Sequence, residues 1–213
     1  MSNNENINEN NTILNNDNEN ANANVNADTN SISLISGRRR TIYCLLSYFV
    51  CILLIVIDQI TKLMVVSKLE VYSSIEVIPD FFYIYRTHNT GSAFSMFADK
   101  AWGIYMLTAI SIIMSIVIGF IIYRLSSLKR NFVNVGLVAL LGGAIGNMID
   151  RIRLQYVVDF LRFDFGSYTF PVFNFADMCA VVGTFMIIGY FIFRSKDTDL
   201  IIDHVIGSKK ENK

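Results

Sequence analysis

The sequence predicts an all-α membrane bundle of four transmembrane helices carrying a small extracytoplasmic β-sheet, with both chain ends on the cytoplasmic side. Three observations lead there. The 213 residues are 53% hydrophobic with a mean hydropathy of +0.42, too apolar for an ordinary soluble domain. Four stretches carry no charge: Thr41–Ile57, Ala101–Tyr123, Phe132–Ile149 and Met178–Phe193. Each is near the roughly 17–25 residues that a helix needs to cross hydrocarbon, the first and last extending into polar flanks. Basic residues gather at alternate connections: Arg38, Arg39 and Arg40 before the first span, Arg124, Lys129 and Arg130 between the second and third, Arg194 and Lys196 after the fourth. That bias places both termini inside.

The elements follow in order. Residues 1–36 are Asn-rich, with 14 Asn among the first 30, and lack the apolar surface that orders a fold; a disordered tail is expected. They hold five acids and no base, which leaves 18 basic and 13 acidic residues in the remainder. A net +5 there suits an anionic membrane surface, but no long basic tract suggests nucleic acid. The basic cluster at 38–40 has the look of a cleavable leader, yet no small-residue cleavage site follows, so the first helix, about 41–60, is read as retained. Glu70–Thr87 is rich in Val, Ile, Tyr and Phe with partial alternation and predicts two short strands turned near Pro79-Asp80. Helices over about 101–123 and 132–150 come next. Phe163–Phe170 predicts a hairpin with Gly166-Ser167 at its turn. The last helix, about 175–194, is capped by Asn174 with Asp177 at its third position. Residues 37–196 thus form one membrane domain, and 197–213 a cytoplasmic tail.

Two aspartates stand where such a chain should not have them. Asp159 interrupts Val157-Val158-Asp159-Phe160-Leu161, and Asp177 opens the last apolar stretch. An Asp at the centre of a membrane helix costs about 2.5–3.5 kcal/mol on insertion scales, so two near hydrocarbon point to a site. Each has a plain reading on its own, Asp177 as a helix-start acid and Asp159 as a loop residue. Together they suggest a carboxyl dyad sharing one proton, one member taking a proton from water and the other polarising a carbonyl. Burial between Val158 and Phe160 is expected to raise the Asp159 pKa, whereas the start of a helix favours a negative charge at Asp177.

Other polar clusters fall in the outer segments or at outer span ends. Asp58 and Lys62 make an i,i+4 pair if the first helix continues. Asn89 and Gly91 suit a tight turn. Asn147 can bond across helices or to a substrate. Arg151 either pairs with Asp150 at the interface or braces the carboxylate cavity or a lipid headgroup. Gly142, Gly143 and Gly146 give a small-residue face for helix packing. Cys44, Cys51 and Cys179 have no paired spacing, and the two histidines, His88 and His204, fall on opposite expected sides. Neither a Ser–His or Cys–His nucleophile, nor a metal site, nor a phosphate loop is expected.

These clusters in register, Asp58-Gln59-x-x-Lys62, Asn89-x-Gly91-x-Ala93-Phe94, Gly142-Gly143-Ala144-x-Gly146-Asn147-x-x-Asp150-Arg151, Val157-Val158-Asp159-Phe160 and Phe173-Asn174-x-Ala176-Asp177, closely resemble the bacterial lipoprotein signal peptidase (signal peptidase II) family over about residues 42 to 194. The resemblance implies a four-helix aspartyl endopeptidase of the bacterial cytoplasmic membrane, its site on the outer face. Its substrates would be diacylglyceryl-modified prolipoproteins, cut just before the lipidated Cys. It implies Asp159 and Asp177 as the catalytic pair, with Asp58, Asn89, Gly91, Asn147, Arg151 and Asn174 supporting the site or contacting substrate; Lys62 joins them as the partner of Asp58. Ser92 and Met178 depart from the family pattern at positions outside the dyad. No metal or organic cofactor is required, the partners are lipidated substrates and membrane lipids, and a monomer is expected. The competing readings are a proton-coupled transporter using the same acids, a non-enzymatic membrane scaffold, and a chain that is itself a lipoprotein. Against the last, Cys44 and Cys51 lack small residues before them.

Overall fold

The computed structural model describes residues 37–91, 102–126, 132–193, 201–202 and 205–206. The Asn-rich tail, most of the C-terminal tail and the Ala93-Phe94-Ser95 part of one cluster lie outside the described residues. The element order is α1 (Gly37–Lys68), β1 (Ser74–Ile78), β2 (Phe82–Asn89), α2 (Gly103–Leu125), α3 (Phe132–Leu154), β3 (Val157–Phe165), β4 (Tyr168–Thr169) and α4 (Phe175–Phe193). All four helices are long and apolar enough to cross a membrane.

Two helices run further than the sequence predicts. α1 does not end near residue 60 but continues to Lys68, and α3 passes residue 150 to reach Leu154. The cause is the same in both. Asp58 and Lys62 in α1 and Asp150 in α3 look like span boundaries but stay inside their helices, where they face protein partners. Cys51, Asp58, Lys62 and Val65 form the buried stripe of α1, spaced as one helical face demands. The α1 terminus is closed by Arg86 of β2, which donates to the Val66 carbonyl at 3.3 Å and the Leu69 carbonyl at 2.8 Å. Those carbonyls have no intrahelical partner and favour a cation.

α3 is the centre of the bundle and packs against the other three helices. Half of its spanning window is buried, compared with 11% in α1 and α2 and 17% in α4, so the outer three turn most of their surface to lipid. Glycines set the closest approach. A Cβ added at Gly183 of α4 would lie 2.5 Å from the Gly136 carbonyl and 2.8 Å from the Leu140 nitrogen of α3. One added at Gly146 would lie 2.7 Å from Asp58 Oδ2. Small residues let the backbones meet where lipid supplies no hydrophobic push. At the far end Ile122, Leu125, Val133, Leu137 and Leu141 pack with Ile201, so the predicted C-terminal tail returns to the bundle at that point.

The four strands form one antiparallel sheet in the order β1-β2-β3-β4. Both predicted turns are present. Asp80, with φ 56°, lies between β1 and β2, and Gly166, with φ 63°, lies in the β3–β4 turn. A register shift between Ile84 and Thr87 leaves Thr87 opposite Asp159 and Asn89 opposite Val157. Alternation gives the sheet two faces. Phe82 stacks on Phe163 with centroids 4.7 Å apart on one face. On the other, Arg162 sits over Tyr83 and Tyr85 at 5.3 and 5.5 Å and pairs with Asp164 at 2.8 Å.

Gly183→Ala is expected to destabilise the protein by about 1–3 kcal/mol, the usual cost of overpacking. Gly189→Ala, whose new methyl meets nothing within 4 Å, is the matched control and should leave the melting temperature in detergent unchanged.

Candidate active site

The sequence places one unusual acid near the start of β3 and another at the start of α4, and the fold brings both onto one residue. Asn174 is the N-cap of α4. Its side-chain oxygen accepts from the Asp177 backbone N–H at 3.0 Å, and Asp177 Oδ2 accepts from the Asn174 N–H at 3.0 Å. This is a reciprocal capping box. The same Asn174 turns its Nδ2 to Asp159 Oδ1 at 2.6 Å. One residue therefore fixes both carboxyl groups.

Each carboxylate has a second holder. Asn89 donates to Asp159 Oδ2 at 2.9 Å, and its own oxygen accepts from the Gly91 N–H at 3.0 Å. Asn147 donates to Asp177 Oδ1 at 2.8 Å, and its oxygen accepts from Asn174 Nδ2 at 3.0 Å. Behind Asn147 lies Lys62, buried to 3% exposure, with Nζ 2.9 Å from Asn147 Oδ1, 2.9 Å from Asp58 Oδ2 and 3.1 Å from Asp150 Oδ2. Asp58 in turn accepts from the Ala176 N–H at 3.0 Å, and Asp150 from the Val158 N–H at 3.1 Å. Gln59 closes the ring, donating to Asp150 at 3.0 Å and to Asp58 and the Gly146 carbonyl at 3.2 Å. The buried ammonium so orders both the start of α4 and the first residues of β3, the two segments that carry the unusual aspartates.

Of the residues named from sequence, Asp58, Lys62, Asn89, Asn147, Asp159, Asn174 and Asp177 join one continuous hydrogen-bonded network, with Gly91 attached through Asn89. Arg151 stands apart. It makes no ion pair with Asp150, whose cation is Lys62, and its buried Nε has no hydrogen-bond partner among the described residues. The charges of Asp177, Asp159 and Asp150 all act on it, so it lies close to the two unusual aspartates. Asp58 and Lys62 are not a helix-end pair, since α1 continues past them to Lys68. Sequence reasoning left Gln59 and Asp150 out of the site. Both lay inside the quoted motifs, and their spacing from Asp58 and Asn147 was the available signal.

Asp159 is 2% exposed while Asp177 is half-buried at the helix start. Burial first, then the charge of Asp177, push the Asp159 carboxyl up from 3.8 to about 7, against the lowering effect of Asn89 and Asn174. The protonated form of Asp159 is thereby favoured relative to an ordinary carboxyl group.

The fold and site define a multi-pass membrane protein with two carboxyl groups gathered at one end of a helical bundle. The signal peptidase II family model matches residues 50–193. A lipoprotein signal peptidase of Symbiobacterium thermophilum is 41% identical over 140 residues, covering 65% of this chain and 89% of that protein. One from Listeria monocytogenes is 40% identical over 154 residues, covering 71% and 96%. A solved bacterial membrane enzyme superimposes with a TM-score of 0.61 at 30% identity, covering 78% of this chain and 93% of the other. The chain belongs to the signal peptidase II family, a family of bacterial membrane proteases. That membership does not favour the transporter reading.

Lys62→Met leaves Asp58 and Asp150 buried without a cation. Removing one member of a buried charge cluster costs about 3–5 kcal/mol, so a corresponding fall in thermal stability is expected. An unchanged melting temperature would show that the cluster is not what holds α1 to α3 and α4.

Proposed function

We propose that Asp159 and Asp177 are the catalytic dyad of an aspartic endopeptidase that removes the signal peptide from diacylglyceryl-modified prolipoproteins, immediately before the lipidated Cys. The observation that carries this reading is the shared Asn174, which bonds to Asp159 through its side chain and to Asp177 through the capping box. Such an arrangement supports two carboxyl groups acting on one water.

Asp159 enters the reaction protonated and Asp177 ionised. Asp177 takes a proton as water attacks the scissile carbonyl carbon, and Asp159 gives its proton to the carbonyl oxygen. The tetrahedral gem-diol then collapses. Its hydroxyl proton returns to Asp159 while Asp177 gives its proton to the leaving nitrogen, and the C–N bond breaks. The products are a carboxyl on the signal peptide and a free amine on the lipidated Cys. Asn89, Asn147 and Asn174 hold the two groups in register, and the bonds of Asn89 and Asn174 to Asp159 keep its pKa from rising further. The unpartnered Arg151 Nε supports a role in receiving a substrate carbonyl. Asp58 and Lys62 act from behind, on the backbone of α4 and on Asn147.

The site lies at the end of the bundle away from the Arg38–Arg40 cluster, which supports an extracytoplasmic location with N- and C-termini inside. A lipidated substrate keeps its acyl chains in the bilayer while the peptide bond reaches the polar end of α3 and α4. A monomer suffices for this reading, since all the proposed roles fall to residues of one chain.

Asp159→Asn and Asp177→Asn should each lower cleavage of a lipidated prolipoprotein by at least about 10²–10⁴-fold, the range of a positioned acid or base. Retention of turnover in either purified, folded variant would remove the dyad.

The pH dependence has a definite sign. Asp159 carries the needed proton below about 7 and loses it above, so kcat/KM, which reports the free enzyme, should fall as pH rises through about 7. Its contribution to stability is fully present below the unfolded value near 3.8 and is lost over the same rise. A pH–rate profile still climbing past that point would contradict the assignment.

A further inference from the structure

We propose that His88 is a positioning residue for the reaction, clamping the Asn89–Asp159 contact from the opposite face of β2. The inference rests on the dyad reading above and goes beyond it, since neither the dyad nor its hydrogen-bonded network uses a histidine.

His88 precedes Asn89 on β2, and strand alternation puts their side chains on opposite faces. Asn89 and Thr87 face Val157 and Asp159, whereas His88 pairs with Val158. On its own face, among the described residues, His88 meets Tyr156 and Arg86. Its ring stacks on Tyr156 at 3.7 Å between centroids and 17° between planes. Its Nε2 lies 3.4 Å from Arg86 Nη2.

The stack matters because of where Tyr156 lies. α3 ends at Leu154 and β3 begins at Val157. The connection turns at Gln155, whose φ of 63° is costly for a residue with a side chain. The Gln155 N–H and side-chain amide both donate to the Arg151 carbonyl, at 3.2 and 3.1 Å. Tyr156 is the next residue, and Asp159 follows three positions later. Pinning Tyr156 to His88 therefore fixes the start of β3 against the end of β2, where Asn89 meets Asp159.

The second contact ties this clamp to α1. A guanidinium only donates, so the imidazole nitrogen facing Arg86 is unprotonated. Burial, and then the Arg86 charge, likewise lower the His88 pKa. Arg86 also binds the last carbonyls of α1. α1, β2 and the α3–β3 turn thus meet at one neutral ring. The charged groups that face Asp159 itself are Asp177 of α4, Arg151 of α3 and Lys62 of α1, and none of them touches His88.

The test compares His88→Ala, His88→Phe and His88→Gln in the full-length protein in nanodiscs. Three readouts are taken: kcat, KM for a lipidated prolipoprotein, and the titration of the Asp159 carboxyl followed by 13C NMR. Loss of the clamp loosens the Asn89 bond, which otherwise lowers the Asp159 pKa. His88→Ala should therefore reduce kcat by about an order of magnitude with KM little changed, and move the Asp159 midpoint upward. His88→Phe keeps the stack and should restore both; His88→Gln keeps only a partner for Arg86 and should restore neither. An unchanged kcat in His88→Ala overturns the proposal, as does a reduced kcat with the Asp159 midpoint unmoved, or rescue by Gln in place of Phe. Should His88→Ala fail to fold, Tyr156→Leu removes the same stack from the other side, with the same outcomes decisive. The NMR midpoint needs no turnover, so failure of the clamp is distinguished from failure of the dyad, which Asp159→Asn activity reports.

Discussion

A single buried cation organises this protein. Lys62 is held by Asp58, Asp150 and Asn147 at hydrogen-bonding distance, and those three anchor the two segments that carry the unusual aspartates. Asp58 takes the Ala176 N–H at the start of α4, Asp150 takes the Val158 N–H in β3, and Asn147 reaches Asp177. A charge at this depth is tolerated only when fully paired, and the same pairing sets the positions of the two unusual aspartates. Stability and site geometry therefore depend on the same contacts.

In the proposed reaction, the division of labour between the two carboxyl groups follows from where each sits. Asp159 lies in a strand among Val157, Val158 and Phe160, all nearly inaccessible, so its charged form is disfavoured. Asp177 sits in the first turn of α4, where backbone N–H groups and the helix dipole favour an anion. Two residues of one chemical type thus meet different surroundings, a strand interior and a helix start. Asn174 joins them because a capping residue leaves its Nδ2 free once its oxygen is engaged with the helix.

Much of this was legible in the sequence, for physical reasons. Charge-free runs announced four spans, and the Asn174-x-x-Asp177 spacing announced a capped helix. Gly166-Ser167 announced a hairpin. Helix ends were harder to read. Asp58, Lys62, Asp150 and Arg151 resemble boundary residues when burial is unknown, yet the first three are buried within their helices. Their partners lie on other elements, some 85 or more residues away in the case of Asn147 and Gln59. Linear spacing does not reveal which acid a buried lysine will choose. The same holds for Arg151, where adjacency to Asp150 suggested a pair that the helix geometry does not make. His88 carried no motif at all; only the strand register and the turn at Gln155 give it a place.

The central claim is that Asp159 and Asp177 are neighbours, the charge of Asp177 helping to raise the Asp159 pKa. Its most direct measurement is the titration of 13C-labelled Asp159 in the native protein and in Asp177→Asn. A midpoint near 7 that falls in the variant is the expected result. An ordinary midpoint near 4, or one that ignores the loss of the Asp177 charge, would show that the two groups do not share an environment.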